Sequence, residues 1–375
     1  MSRPFLSAAL IVRNEERFLG GCLRSLNSLV DEVVVVDTGS SDRTVEIARD
    51  LGASVHEMAW TNDFSVARNR SVDIARGDWI LYIDADERVV PFDRTALAPI
   101  LNDPTCVCAT VLFRPTTGYT RYREHRLFRK LPLLRFEGNI HESLIPSLER
   151  LGRHRFLTIA ASTIAIDHLG YDGNIDFKHS RNLPLLRERL KNEPLHIYCW
   201  DQLGLTLQNL GDRTAADAAW VQAIGIVRAT HKPTLGDSLP YLHLAHSLMK
   251  QQKPLVSILD EGCRLFPDNH ALTWLAAQVL LDTGYPEEAS RKFAQLACAK
   301  PDDLDGGPLA YDASIFGAQA HAALGACAYR MGRLAESIGH YKHAQALAPD
   351  DVGIRAKHAA LQRRDAASIQ PRAAT

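Results

Sequence analysis

The residues best suited to chemistry in this 375-residue chain are two aspartates separated by one alanine, Asp84-Ala85-Asp86, directly after the apolar run WILYI. In extended backbone, residues i and i+2 project to the same side, which would bring the two carboxylates together. Like charges that close repel unless a proton or a cation lies between them, and hard oxygen ligands favour Mg²⁺ or Mn²⁺. A divalent cation held there would bridge to a diphosphate and neutralise charge on a departing nucleoside diphosphate. Taken alone, Asp-x-Asp also describes an exposed acidic turn. Two further polar clusters turn the reading toward a site: Arg13, Asn14, Glu15 and Glu16 follow the run LSAALIV, and Asp37 to Asp42 follow EVVVVD.

The elements that must position these clusters are legible as alternation. Short apolar, β-rich runs (LSAALIV, EVVVVD, ASVHEM, WILYID) alternate with helical stretches through Leu19 to Leu29, Thr44 to Leu51 and Val66 to Ala75. This is the βαβα pattern of an α/β fold, predicting a mostly parallel sheet with helices on both faces. Ligands of such sheets bind outside the carboxyl ends of the strands, so the three clusters are expected to share one edge. From Thr105 to His168 the pattern loosens into strand-like pieces (CVCATVLF, RLFRK, FLTIAASTIAI), read as the acceptor side of the same domain.

After about Gly173 the chain turns to Leu- and Ala-rich helical periodicity. One unit there reads Trp200, Leu203, Gly204, Leu207, Gly211, Ala216, Trp220, Ala223, and another His321, Leu324, Gly325, Ala328, Gly332, Ser337, Tyr341, Ala344, Pro349. Small residues allow two helices to approach, and the aromatic fills the space between units. These spacings resemble the tetratricopeptide repeat. Weaker units lie around Tyr241 and Trp274. The expected organisation is an α/β domain over 1–172, an all-α repeat domain over 173–365 and a disordered tail over 366–375.

Composition narrows the partners. A formal net charge of -1 provides no field to gather nucleic acid or an anionic membrane. Seven cysteines without a paired framework fit a reducing compartment, so a cytoplasmic location is expected. The run Leu6 to Val12 is too short for a spanning helix and lacks the basic start of a signal peptide, and no later stretch reaches about 20 apolar residues. Cys106-x-Cys108 has no matching pair at zinc spacing, and neither a Walker nor a dinucleotide glycine loop is present.

Four segments in order, ALIVRNEE, VVVVDTGSSDRT, FSVARNRSVDIARGDWILYIDADE and FEGNIHE, resemble the family 2 glycosyltransferases over roughly the first 170 residues. The resemblance implies a GT-A fold and inverting transfer from a nucleoside-diphosphate sugar, with Mn²⁺ or Mg²⁺ as cofactor. Position by position it implies that Asn14 and Glu15 frame the nucleotide base and that Asp37 contacts it. Asp84 would reach ribose or metal, Asp86 would be the direct metal ligand, and Arg68 and Asn69 would help to hold the nucleotide.

An inverting transfer needs a base for the acceptor's proton, and Glu142, in His141-Glu142, is the candidate. His168, after the strand FLTIAASTIAI, is expected to complete the metal shell or touch phosphate. Arg126 and Arg129 offer guanidinium forks for diphosphate or an acidic acceptor, although their spacing does not suit one face. Each residue also has a plainer reading: a helix-surface ion pair for Arg68, a solvated or arginine-paired loop residue for Glu142, a structural strand end for His168. Because repeat domains form concave surfaces suited to peptides, a protein or peptide is the candidate acceptor. The rival readings are a scaffold whose GT-A-like domain has lost activity, which the intact acidic cluster argues against, and a nucleotidyltransferase, which would carry a glycine-rich basic loop after the first strand.

Overall fold

The computed structural model of the chain describes residues 5–115, 118–152, 157–169, 175–304 and 306–369. The expected boundary at 172/173 and the end of the expected tail, 370–375, lie outside the described residues. The chain forms two compact units: unit 1 contains 1–117, 121–219 and 306–308, and unit 2 contains 118–120, 220–305 and 309–375.

Unit 1 runs β1 (Leu6–Val12), α1 (Leu19–Ser25), β2 (Glu32–Asp37), α2 (Thr44–Asp50), β3 (Ser54–Glu57), α3 (Phe64–Ile74), β4 (Trp79–Tyr82) and β5 (Glu87–Val89). It continues through α4 (Ala98–Asn102), β6 (Cys106–Pro115), β7 (Tyr122–Arg129), α5 (Ile145–Gly152), β8 (Thr158–His168), α6 (Ile175–Asn192) and α7 (Ile197–Asn209). The eight strands form one sheet in the order β3-β2-β1-β4-β7-β6-β8-β5. Strands β3, β2, β1 and β4 are parallel, as the alternation predicts. The remainder is mixed: β7 is antiparallel to β4 and β6, β8 is parallel to β6, and β5 is antiparallel to β8. The sheet is therefore mixed as a whole, because the link from β6 to β7 is too short for the helical crossover that a parallel pair requires.

Successive residues of the parallel strands serve opposite cores, as the period of two demands. Ala8, Leu10 and Val12 pack with Leu19, Cys22 and Leu23 of α1, while Ala9, Val34 and Ile80 pack with Val72 of α3 and with Ala75, which caps it. The second half, where periodicity weakens, holds its hairpin by polar contacts as well. Arg129 at the end of β7 donates to the carbonyls of Cys106 (2.7 Å), Asp103 (2.7 Å) and Leu101 (3.3 Å) and lies over the Trp79 ring.

From Trp220 onward unit 2 is helical: α8 (Arg213–Ala229) ends in it, followed by α9 (Leu239–Lys250), α10 (Val256–Leu265), α11 (His270–Asp282), α12 (Pro286–Cys298), α13 (Ala318–Arg330), α14 (Leu334–Leu347) and α15 (Val352–Ile369). The spacing read as a repeat from His321 to Pro349 corresponds to a packed helix pair, α13 and α14. A methyl group on Gly325 of α13 would come within 2.7 Å of the Tyr341 ring of α14, and Ser337 donates to the Gly325 carbonyl at 2.8 Å. Trp274 and Phe293 make the equivalent aromatic contact between α11 and α12, with centroids 5.1 Å apart. Among the described residues no helix is long and apolar enough to cross a membrane.

Candidate active site

The three polar clusters do share one edge. Val12 pairs with Asp37 in the last register position of β1 and β2, and Ala9 pairs with Tyr82 at the end of β4, so the loops after these strands emerge side by side. The first two loops lock each other. Asn14 takes a left-handed conformation (φ 57°), which asparagine tolerates better than most residues, donates its N–H to Ser40 Oγ (2.9 Å) and accepts from the Ser41 N–H (2.8 Å). The Glu15 N–H donates to Thr44 Oγ1 at 2.7 Å.

Asp37 is buried, and its carboxylate accepts the N–H groups of Gly39 and Ser40, each at 3.0 Å, and the Ser40 hydroxyl at 2.5 Å. It is spent on shaping its own loop and does not present a free carboxylate to a base, contrary to the role expected for it. Asn69 is diverted in the same way: its amide donates to the Phe136 carbonyl and accepts the Phe136 N–H, both at 2.9 Å, tying α3 to the loop before Glu142.

Asp84-Ala85-Asp86 is not extended. It forms a turn between β4 and β5, with the Glu87 N–H donating to the Asp84 carbonyl at 3.1 Å, so the two carboxylates take separate partners instead of standing side by side on a strand. Asp84 lies between two guanidiniums. Arg68 donates to Asp84 Oδ1 at 2.5 Å, and Arg126 is 3.5 Å from Oδ2. Burial opposes ionisation of Asp84, but the charges of Arg68 and Arg126 outweigh it and hold its carboxyl well below the usual carboxylate range.

Arg68, on α3, also joins the site to Glu142, donating to Oε1 at 3.0 Å. The helix that carries it starts at Asp63, whose carboxylate caps the Val66 N–H at 3.2 Å. Arg126 donates to Glu87 (2.9 Å) and Glu124 (2.8 Å), sandwiched between the rings of Tyr82 (4.3 Å) and Phe113 (4.8 Å). Burial raises Glu87 to about 7 against the opposing Arg126 charge. Arg129 belongs to none of this: opposite Trp79 at the start of β4, it lies at the other end of the sheet, which corrects its expected role.

The other carboxylate of the turn meets histidine. Antiparallel pairing of β5 with β8 places Glu87 opposite His168, and Asp86 Oδ2 lies 3.2 Å from His168 Nε2. The hydrogen bond to Asp86 raises the His168 pKa, against burial. One carboxylate and one imidazole could contribute ligands to a divalent cation, a mixed pair suited to Mn²⁺ more than to Mg²⁺. Among the described residues no cluster of three His, Cys, Asp or Glu forms at metal-holding distance. Glu15 adds a further acid: burial first, then the charges of Asp86, Asp84 and Asp42, raise it to about 7, with Arg181 opposing.

The geometry therefore brings together Asn14, Glu15, Arg68, Asp84, Asp86, Arg126, Glu142 and His168 around the expected edge. Glu87, legible in sequence only as a member of the acidic cluster, pairs Arg126; Tyr82 and Glu124, which sandwich and pair it, and Arg181, which lies over Phe64 and acts on Glu15, were not found from sequence. Glu87 adjoins the acidic motif and Tyr82 precedes it by two residues. Arg181 carries no local signal.

Residues 7–157 match the model of glycosyl transferase family 2. A TPR repeat-containing protein of Synechococcus elongatus is 36% identical over 263 residues, covering 68% of this chain and 64% of the relative. The SPbeta prophage-derived glycosyltransferase SunS of Bacillus subtilis is 29% identical, covering 51% of this chain and 46% of that protein. The chain thus spans less than two thirds of the length of either relative. Among solved structures, glucosyl-3-phosphoglycerate synthase from Mycobacterium tuberculosis, in complex with Mn²⁺, UDP and glucosyl-3-phosphoglycerate, aligns with TM-score 0.35 at 19% identity, covering 50% of this chain and 79% of that one. Residues 7–157 are accordingly a family 2 glycosyltransferase domain, carried in one chain with C-terminal helical repeats.

Proposed function

We propose that the chain is a glycosyltransferase that moves a sugar from a nucleoside-diphosphate sugar to an acceptor, with inversion and with a divalent cation, Mn²⁺ or Mg²⁺. The observation that carries this reading is the convergence of Asp84, Asp86, Arg68, Glu142 and His168 at the carboxyl edge of β1, β2 and β4, within a family 2 domain. Asn14 and Glu15 frame the nucleotide side, with Asp37 supporting that frame through the Gly39 and Ser40 backbone, while Asn69 ties α3 to the loop before Glu142. Asp86 and His168 would hold the cation, which when bound supplies positive charge to the leaving diphosphate.

Glu142 is the proposed base. Arg68 holds one of its oxygens at 3.0 Å, which orients the carboxylate and leaves the second oxygen to accept a proton. The acceptor heteroatom attacks the anomeric carbon from the face opposite the diphosphate and gives its proton to Glu142, while the bond to the diphosphate breaks and its electron pair leaves with the phosphate oxygen. Arg126 and Arg68 supply fixed positive charge beside the acidic turn, so that the doubly acidic segment tolerates an anionic donor. A protein or peptide acceptor, recruited by the helical repeats, and a cytoplasmic location complete the proposal.

The test is release of nucleoside diphosphate from a panel of nucleotide sugars, with Mn²⁺ and with chelator, followed by mass analysis of added peptide and glycan acceptors. Glu142→Gln should lose about 10²-fold or more in turnover while retaining donor binding. Undiminished transfer by that variant would remove Glu142 from the mechanism.

A further inference from the structure

The family match ends at residue 157, yet the loop that carries Glu142 is not held by the matched segment alone. It closes on itself through a reciprocal backbone pair, Glu137 N–H to Ser143 O at 3.0 Å and Ser143 N–H to Glu137 O at 3.1 Å. Inside that closure the backbone turns through two left-handed positions, Gly138 at φ 101° and His141 at φ 51°, the second uncommon for a residue other than glycine and supported by its surroundings.

The surroundings come from α6 and α7. Arg189 of α6 is buried, with 4% of its surface exposed, and reaches under the loop. Its Nη1 donates to the carbonyl of Ile140 and to that of His141 at 3.1 Å, while Nη2 lies 3.2 Å from His196 Nε2 and 3.4 Å from Glu193. The φ of 101° favours glycine at position 138, and a methyl group there would push the Arg189 guanidinium away from the loop. The Asn139 amide donates to the Leu185 carbonyl of α6 at 3.1 Å, and the Phe64 N–H donates to the Asn139 carbonyl at 2.9 Å, which links the loop to the start of the helix bearing Arg68. The His141 ring meets the Tyr198 ring of α7 edge-on, centroids 5.3 Å apart. All these residues belong to unit 1.

We propose that Arg189, on a helix outside the matched segment, is a positioning residue for sugar transfer: by holding the Ile140 and His141 carbonyls it fixes the loop so that Glu142 stands against Arg68. This rests on the glycosyltransferase reading for its chemical consequence and on geometry for its structural one. Lysine would keep the charge at position 189 but offers one nitrogen, which cannot at once meet the loop carbonyls that Nη1 serves and the His196 and Glu193 side chains that Nη2 serves. The transferase module accordingly extends through α6 and α7, and a fragment cut after residue 157 lacks the brace for its own base.

The test compares full-length Arg189→Lys and Arg189→Ala with wild type and with Arg187→Ala, an exposed arginine of the same helix. Turnover of the donor should fall about 10²-fold in both Arg189 variants, with the donor KM within about threefold, because a misplacement near 1 Å costs that much in rate. Guanidinium ion at low millimolar concentration should restore part of the lost kcat of Arg189→Ala and leave Arg187→Ala unchanged. Hydrogen exchange should show the amides of Phe64 and Ser143 opening at least tenfold faster in both variants, with Val34 and Val35 of β2 still protected. Unchanged kcat, unchanged exchange in the loop, or equal loss of protection across loop and sheet in Arg189→Lys would overturn the proposal. A wild-type chain that turns over no donor would refute the glycosyltransferase reading instead, and the exchange comparison would still decide whether Arg189 sets the loop.

Discussion

Replacing Arg68 by methionine removes a side chain that joins the acidic turn to the loop of the proposed base. The guanidinium is 7% exposed and contacts Asp84 and Glu142, whose side chains are 36% and 12% exposed. The Glu142 arm dominates the cost. Taking away one partner of a buried pair leaves an uncompensated charge and costs about 3–5 kcal/mol. The Asp84 arm adds roughly 0.5 kcal/mol, because that carboxylate is more exposed and keeps Arg126 at 3.5 Å. Methionine retains some packing against Tyr82, whose ring lies 5.0 Å from the guanidinium carbon, so the net expectation is a loss of roughly 3–5 kcal/mol. Glu142→Gln in the same chain removes the orphaned charge and should return about 2 kcal/mol, a coupling typical of residues in contact. Hydrogen exchange of β1 and β2 peptides across a urea titration reads unit 1 separately from the repeats. A loss below about 1 kcal/mol, or strict additivity of the two substitutions, would refute the claim that Arg68 carries the site.

Three further outcomes follow from the same geometry. Glu15 has a folded pKa of about 7, above its ordinary 4.5, so the stability it contributes is fully present below about pH 4 and is lost as pH rises toward 7. Discounted for its partial exposure, Glu15→Gln should be neutral at pH 4 and stabilising by about 1 kcal/mol at pH 8, measured by urea unfolding. His168 has a raised pKa, so its pair with Asp86 stabilises the metal-free chain at low pH and fades as pH rises, while protons compete with a cation for Nε2. Mn²⁺ binding followed by calorimetry should therefore weaken at least tenfold from pH 8 to pH 5.5, and His168→Gln should flatten that dependence. Arg129→Ala should cost about 2–3 kcal/mol in stability through three lost carbonyl contacts, and leave donor affinity unchanged; altered affinity would return Arg129 to the site.

What was legible in the sequence was what repeats or alternates. The runs before Arg13, Asp37 and Asp84 are strands, because uninterrupted apolar residues suit burial on both faces, and their shared edge follows from parallel pairing. Gly325, Ser337 and Tyr341 were legible as a packed helix pair because their spacing encodes a close approach. The reading failed where a polar side chain answers to backbone. Asp37 and Asn69 satisfy N–H and carbonyl groups of nearby loops, which spacing alone does not reveal. Asp84-Ala85-Asp86 turns because the Glu87 N–H bonds back to Asp84 and the Glu87 carboxylate accepts the Asp84 N–H at 2.8 Å, a local preference that competes with extension. Arg126 and Arg129 part company because three residues along a strand span about 10 Å and reverse the face. Arg189 was invisible because its partners Ile140 and His141 are some 50 residues away in sequence and take part only through their carbonyls.

A cation-dependent nucleotide-sugar site at the strand edge should show itself in thermal unfolding of the full chain with a panel of nucleotide sugars, with and without Mn²⁺, beside Asp86→Ala. Ligand at about 100 times its dissociation constant adds roughly 2.7 kcal/mol to the stability of the folded state. One donor should raise the unfolding temperature only when Mn²⁺ is present, and Asp86→Ala, equally well folded, should show no such rise. A donor shift that survives without the cation or in Asp86→Ala, or no shift with any donor, would contradict it.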